Sequence, residues 1–339
     1  MPDENLIRVP FDLMKQQFYD VLIGLKFPKE KAKTCAAIFA GNTLDGIHSH
    51  GINRFPRFVD YIKKGYIKPQ ASPKRIAQAG AIEQWDGQLA PGPSNAVQAT
   101  GHAMELASEN GLGLVALANT NHWMRGGAYG WQCAQEGFAF IGWTNTIANL
   151  PAWGAKTCKL GNNPLVIAIP YQDEAIVLDM ALSQFSYGKM EDLQKKGEEL
   201  PLPGGFNKND QLSTIPAEIL ESGRPLPIGY WKGAGLSLLL DLLATLLSAG
   251  LSTSAISRQN KAEYGVSQVF IAIDLKQLDN FPVMEQTIQA VLDDFQSAEK
   301  VSPESSLRYP GQRVLITREI NKIKGIPVDA GLWEQIKNL

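Results

Sequence analysis

Apolar residues recur at Phe11, Met14, Phe18, Val21 and Leu22, the three-and-four spacing that lines one helix face, and predict a first helix over 11–25. Pro28 opens a second helical stretch carrying Cys35, Ile38 and Phe39, because a proline in a first turn has no needed N–H to lose. That helix is expected to end near Gly41 or Asn42, and the first eighty residues read as helical. Beyond them the pattern alternates. A helix over 93–110, ended by Gly111, is followed by an apolar strand over 112–118; a helix over 128–136, ended by Gly137, is followed by a strand over 138–143. Strands over 165–169 and 175–180 flank a short polar turn, which reads as an antiparallel hairpin. A long apolar helix is expected over 234–249, a strand over 266–273, and helices over 286–300 and 331–339. The stretch 200–227 holds five prolines and the adjacent Gly204 and Gly205, so it reads as a long loop of a length that is commonly functional. Strands alternating with helices define an α/β fold, and the hairpin makes its sheet mixed. The expected organisation is a helical segment over 1–80, a mixed-sheet α/β domain over 81–280 and a helical segment over 281–339.

With 44% hydrophobic and 19% charged residues in 339, the chain has the composition of a globular enzyme, not of a disordered or fibrous protein. A net charge of -2 offers no basic face for nucleic acid. Charges mix along Glu191-Asp192-Leu193-Gln194-Lys195-Lys196-Gly197-Glu198-Glu199, as on a solvated helix face. Cys35, Cys133 and Cys158 show no paired spacing, so neither a disulfide framework nor a structural zinc is expected; they fit small buried hydrophobes in a reducing compartment. The start, Met1-Pro2-Asp3-Glu4-Asn5, has no apolar run of a secretory signal. The apolar stretch 233–250 is broken by Asp241, whose placement at a bilayer centre costs about 2.5–3.5 kcal/mol, so it is expected as a buried core helix. A cytoplasmic protein without nucleic-acid or membrane partners is the expectation.

Two of the four histidines fall in Ile47-His48-Ser49-His50-Gly51-Ile52-Asn53-Arg54. Arg54 has the forked geometry to grip a carboxylate, and His50 can exchange a proton near neutral pH, as reduction of a ketone to an alcohol requires. Ser49 can hold the imidazole or bond a substrate; the other reading of His50 is a histidine in a glycine-containing turn. His48 and His50 can also share a face toward a metal, although no third ligand is near except Asp45, and no metal is expected. A second imidazole–guanidinium pair occurs in Asn121-His122-Trp123-Met124-Arg125-Gly126-Gly127, where His122 is either a competing acid or a core histidine bonded to backbone. Gly111-Leu112-Gly113-Leu114-Val115-Ala116 matches a dinucleotide fingerprint by letter, but helix precedes and strand follows, so no helix N-terminus meets a pyrophosphate. Tyr230-Trp231-Lys232-Gly233-Ala234-Gly235 is either an anion site ahead of the long helix or a glycine stretch that lets it pack closely. Asp179, in an apolar strand, needs a partner: an imidazole to orient, a ribose hydroxyl, or a turn.

Taken together, Ser49-His50-Gly51-Ile52-Asn53-Arg54-Phe55-Pro56-Arg57-Phe58, Gly80-Ala81-Ile82-Glu83-Gln84-Trp85-Asp86, Asn121-His122-Trp123-Met124-Arg125-Gly126-Gly127, Pro151-Ala152-Trp153-Gly154-Ala155-Lys156, Phe185-Ser186-Tyr187-Gly188 and Gly229-Tyr230-Trp231-Lys232-Gly233 span essentially the whole chain. They resemble the malate/L-lactate dehydrogenase type 2 family, a group unrelated to Rossmann dehydrogenases, and most of all its 2,3-diketo-L-gulonate reductase branch. The resemblance implies a homodimeric, NAD-dependent reductase of a small sugar acid with a non-Rossmann cofactor site. It places the proton donor on His50. Cofactor contacts would fall on Ala175, Ile176, Val177, Leu178, Asp179, Met180 and Ala181, on Trp231 and Lys232, and on Gly311, Gln312 and Arg313. Arg54 as carboxylate clamp, Asp179 as an orienting or cofactor residue, and His122 in the pocket wall are readings of the residues themselves. Another 2-oxo acid or a cyclic imino acid is the neighbouring substrate class. A metal-dependent sugar-acid lyase or isomerase, and a non-catalytic sugar-acid binder, are the readings from other classes.

Overall fold

A computed structural model describes residues 5–259 and 262–339. Its centre is a seven-stranded sheet of β1 (Lys74–Ala79), β2 (Ile82–Asp86), β3 (Leu112–Thr120), β4 (Phe138–Thr144), β5 (Leu165–Tyr171), β6 (Glu174–Met180) and β7 (Val266–Asp274). The strands lie in the order β1-β2-β3-β7-β4-β5-β6. The β2–β3 pair is parallel and the remaining neighbours are antiparallel, so the sheet is mixed as expected. Side-chain alternation along β3 decides its two faces. Val115 and Leu117 meet α4 (Gly92–Asn110) and α5 (Gly127–Gln135) on one side, while Leu114 and Ala116 meet the long apolar helix on the other.

The segment before the sheet folds as α1 (Phe11–Gly24), α2 (Lys29–Leu44) and α3 (Phe55–Lys63). Phe18, Phe39, Phe55 and Phe58 pack together beneath them, with Trp333 and Ile336 of the C-terminal helix in the same cluster. Strand Leu6–Val9 pairs with Ile326–Asp329, so the two ends of the chain share one core. That pairing, and β1 at 74–79, put strands where the sequence reads as helical. Helix α2 also runs to Leu44, two to three residues past the expected stop.

Further along come α6 (Tyr187–Lys196), α7 (Pro216–Ser222), α8 (Trp231–Ser248), α9 (Thr253–Gln259), α10 (Phe281–Ser297), α11 (Gln312–Lys324) and α12 (Ala330–Lys337). The expected loop over 200–227 is partly structured: Gly205–Phe206 pairs with Leu212–Ser213, and α7 follows, its Ile219 buried against α6. Helix α10 begins five residues before the expected position and ends three earlier. Helix α8 begins at Trp231, so Gly233 and Gly235 lie inside its first turns instead of preceding it. A Cβ on Gly233 would stand 2.1 Å from the Ile228 carbonyl, which supports the close-packing reading of that glycine.

By length and composition α8 can cross a membrane. Its inward residues Ala234, Ser237, Leu240, Asp241 and Ala244 instead lie on the sheet, where Asp241 accepts from Asn145 Nδ2 at 2.9 Å and the Thr253 N–H at 2.8 Å. The expectation of a buried helix therefore holds for one face. The other exposes Leu238, Leu239, Leu242, Leu243 and Leu246. At the fingerprint decoy, Gly111 sits at φ +78°, ends α4 and feeds β3. A Cβ on Gly113 would stand 2.1 Å from the Ala103 carbonyl, so this glycine serves helix–strand packing.

Candidate functional site

Helix α2 ends at Asp45, and two tight turns, His48–His50 and Ile52–Arg54, carry the chain to α3. Three contacts clamp this segment onto α2. Asn42 Nδ2 donates to the His50 carbonyl at 3.0 Å, and the Ile52 N–H donates to Thr43 Oγ1 at 2.9 Å. Gly51 lies so close that a Cβ there would meet Thr43 Oγ1 at 2.3 Å. The result is a fixed imidazole. His50 Nδ1 lies 3.1 Å from Ser49 Oγ, and its ring stacks on His122 with centroids 5.6 Å apart and an interplanar angle of 23°. His122 Nδ1 accepts the Met124 N–H at 2.9 Å, so the neutral His122 ring carries its proton on Nε2. The backbone-bonded reading of His122 is thus realised, and the ring still lines a cavity of about 10 Å³ with Arg54, Arg57, Tyr61, Asn121 and Met124.

Burial lowers the affinity of both rings for a second proton. His50 is pushed down to about 4 by burial first, then by the charges of Arg54 and Arg125. His122 is driven well below the ordinary histidine value by burial, with Arg54, His50 and Arg57 adding to it. Arg54 reaches across to Glu263, Nη2 to Oε2 3.5 Å, and the Glu263 N–H points to Tyr61 Oη at 3.4 Å. Burial pushes the Glu263 carboxyl up against the opposing pull of Arg54 and Arg57. No local pattern announces this pair, whose members lie in segments far apart along the chain.

The charges behind this cleft pair with one another. Arg125 is buried and bonded to Asp45, Nη1 to Oδ2 2.5 Å, with its Nε 3.5 Å from Asp179 Oδ2. It is therefore committed to carboxylates. Asp179 accepts the Gly127 N–H at 2.8 Å at the start of α5, and burial raises its carboxyl against the pull of Arg125. Its contacts are Arg125 and that N–H, so it does not orient an imidazole. Asp45 also takes a bidentate grip from Arg318 of α11, at 2.7 and 3.0 Å. The chain Arg318–Asp45–Arg125–Asp179 thus joins α11, the end of α2, the start of α5 and strand β6.

Strand β6 is the edge on which the three expected cofactor segments meet. The Val177 N–H donates to the Pro310 carbonyl at 3.2 Å, which lays Gly311 (φ +89°) against the strand; a Cβ there would stand 3.1 Å from Val177 N. The Ile228 N–H donates to the Leu182 carbonyl at 2.9 Å, which brings the start of α8 to the strand's far end. Ala175 and Val177 point into the core and have only backbone to offer, whereas Ile176, Leu178, Met180 and Ala181 are half-buried. Trp231, 67% exposed, and the exposed Lys232 and Arg313 stand open to a ligand. Among the described residues, the buried Gln312 Oε1 and Ser183 Oγ have no hydrogen-bond partner. Buried polar atoms left unpaired in this way suit a polar ligand, and a dinucleotide has the hydroxyls and amides to meet them.

A mixed α/β sheet with a histidine–arginine cleft and a glycine-lined strand edge, built without a phosphate fingerprint, defines a non-Rossmann dehydrogenase class. Residues 9–337 match the malate/L-lactate dehydrogenase family, and the chain belongs to that family. It is 46% identical over 333 residues to the 2,3-diketo-L-gulonate reductase of Salmonella paratyphi A, covering 98% of this chain and all of the relative. The relative of the same name from Salmonella schwarzengrund is 45% identical over the same length. The structure of malate dehydrogenase from Pyrococcus horikoshii superposes with TM-score 0.89 at 29% identity, covering 99% and 95% of the two chains. Sulfolactate dehydrogenase from Methanocaldococcus jannaschii follows with TM-score 0.88 at 28% identity and coverages of 98% and 96%. The chain is a dehydrogenase or reductase, and its family implies a nicotinamide cofactor.

Proposed function

We propose that the protein reduces 2,3-diketo-L-gulonate to 3-keto-L-gulonate with NADH. The observation that carries this reading is the half-buried, stacked His50–His122 pair just past the end of α2, with His122 sharing a cavity wall with Arg54. Similarity over the whole chain to reductases of that name supports the substrate. Arg54 would take the C1 carboxylate in a two-pronged grip. Once that anion sits on Arg54, one of the charges that add to burial in holding His50 down is offset, and the ring regains part of its affinity for a proton. His50 can then give that proton to the oxygen at C2, and Ser49, 3.1 Å away, steadies the ring. Neutral His122, with its proton on Nε2, would donate a hydrogen bond to a second substrate oxygen. Strand β6, Trp231, Lys232 and Gly311-Gln312-Arg313 would hold the nicotinamide cofactor, which when bound would supply the hydride for C2. Asp179 would serve by bracing Gly127 and Arg125 next to that edge. The leucines left exposed on α8 support a homodimer, and a cytoplasmic location accords with three free cysteines.

The test is loss of NADH absorbance with purified protein and 2,3-diketo-L-gulonate, with NADPH, pyruvate and sulfopyruvate run in parallel. Turnover confined to the diketo acid with NADH is expected. Turnover of pyruvate or sulfopyruvate alone would keep the dehydrogenase and move the substrate. His50→Ala should cut kcat by about 10²–10⁴-fold while NADH still binds; unchanged kcat would transfer the acid role to His122.

A further inference from the structure

We propose that Glu263 is a specificity-determining residue: it competes with the substrate carboxylate for Arg54 and, once displaced, accepts a hydrogen bond from a hydroxyl of a polyhydroxylated acid. This rests on the reading of Arg54 as the carboxylate clamp. Among the described residues, Glu263 is the carboxylate within ion-pair distance of Arg54, with Nη2 to Oε2 at 3.5 Å the closest approach. That is longer than the roughly 2.7–2.9 Å of a charge-assisted hydrogen bond, so an incoming carboxylate that forks onto two nitrogens binds the same guanidinium better. The cavity at this place, about 10 Å³, holds about one water molecule. The space against Arg54 is thus tight, and a carboxylate that reaches the guanidinium replaces the long contact to Glu263.

Displacement leaves a cost. Glu263 keeps only 14% of its side-chain surface in solvent, so its carboxylate, parted from Arg54, is short of hydrogen bonds and close to a second anion. A ligand with hydroxyl groups beyond its keto acid end can meet that need, and a short 2-oxo acid cannot. Discrimination by an unpaired buried polar group is steep, because the rejected ligand leaves the group stranded. Glu263 thus penalises every carboxylate and refunds only those that carry hydroxyls.

The experiment is calorimetric titration of the full-length protein, with and without NADH, using oxamate and 2-keto-D-gluconate as probes. In Glu263→Gln, oxamate should bind about tenfold tighter while 2-keto-D-gluconate gains nothing or weakens, so the ratio of the two Kd values shifts by at least about tenfold. Glu263→Asp, which retreats from Arg54 by one methylene, should move the ratio the same way by a smaller factor and serves if the glutamine variant does not fold. Equal weakening of both probes would show that Glu263 merely holds Arg54 in place and would overturn the proposal. So would no change in either, or failure of both probes to bind the wild-type protein. If the ratio shifts as stated but no 2-oxo acid oxidises NADH, the specificity role stands and the proposed reaction fails.

Discussion

His50 and His122 are held as neutral rings in the ligand-free protein, and this has consequences for pH. Burial and the arginines lower His50 from its ordinary value to about 4. Between that value and about 6.5 the unfolded chain binds protons that the folded chain does not, so folding stability rises with pH across this window and is lost as pH falls through it. His122, also lowered, contributes with the same sign. Each unit of lowered pKa is worth about 1.4 kcal/mol. Urea melts of the wild type should therefore weaken from pH 6.5 downward, and His50→Gln should flatten the profile; parallel profiles would show that the ring is not held neutral. The same arrangement predicts partial proton uptake when an anion reaches Arg54, because one of the charges that add to burial in lowering His50 is then offset. Oxamate titrations at neutral pH in buffers of different ionisation enthalpy should report net proton uptake in the wild type and none in His50→Gln. A buffer-independent heat in the wild type would separate the clamp from the acid.

The elements deliver these residues through contacts that are rigid and mostly polar. Gly188, in the first turn of α6, lies where a Cβ would stand 2.8 Å from Ser49 Cβ and 3.2 Å from its Oγ. Gly188→Ala should shift the His50 turn and lower kcat by about ten- to a hundredfold with NADH affinity retained, a split that stopped-flow and steady-state assays can read. Wild-type kcat in this variant would mean that α6 does not brace the turn. Asp45 holds two arginines at once, and Asp45→Asn leaves them only the longer contacts to Asp179 and Glu174; a loss approaching, but not exceeding, about 3–5 kcal/mol in chemical denaturation is expected. These contacts mark the limit of what the sequence reveals. Helices such as α1 and the β5–β6 hairpin are legible because their apolar periodicity reflects burial against one neighbour. Helix α11 does show helical spacing at Ile316, Ile320 and Ile323, but that face is exposed, and the helix docks instead through Arg318 on Asp45 and Asn321 on the Leu44 carbonyl, contacts that no periodicity announces. The need of Asp179 for a partner is legible in its apolar strand; that the partner is Arg125 is not, because tertiary folding alone brings positions 125 and 179 together. The His50, Arg54 and His122 cluster was readable as chemistry for the same reason that Glu263 was missed: the former sit in motifs, and the latter is a lone acid ahead of β7.

At the scale of the whole molecule, a single chain leaves too much apolar surface uncovered. Helix α8 shows five leucines outward between positions 238 and 246, with Leu246 at 72% exposure, and Trp231 at its start continues the stripe. Helix α10 buries Leu292 alone among its seventeen described residues, and a helix of that length gains little stability without an apolar neighbour. Val291 and Phe295 of α10, and Ile316, Ile320 and Ile323 of α11, add to the exposed area. Contiguous apolar patches of this kind mark association surfaces, and a stable pair of subunits needs about 800 Å² from each partner. A second copy meeting α8 through its leucine face would also order Trp231 and Lys232, which open the same helix and belong to the proposed cofactor edge. On the proposed cofactor site, such assembly and cofactor binding would be linked. Leu239→Glu combined with Leu246→Glu places charges in the middle of that face without touching the sheet side of α8. Light scattering after size exclusion should show this variant as a monomer, with NADH affinity reduced at least about tenfold. A monomer that binds NADH as well as the wild type would uncouple the helix face from the site, and an intact dimer would place the subunit contact on α10 and α11 instead.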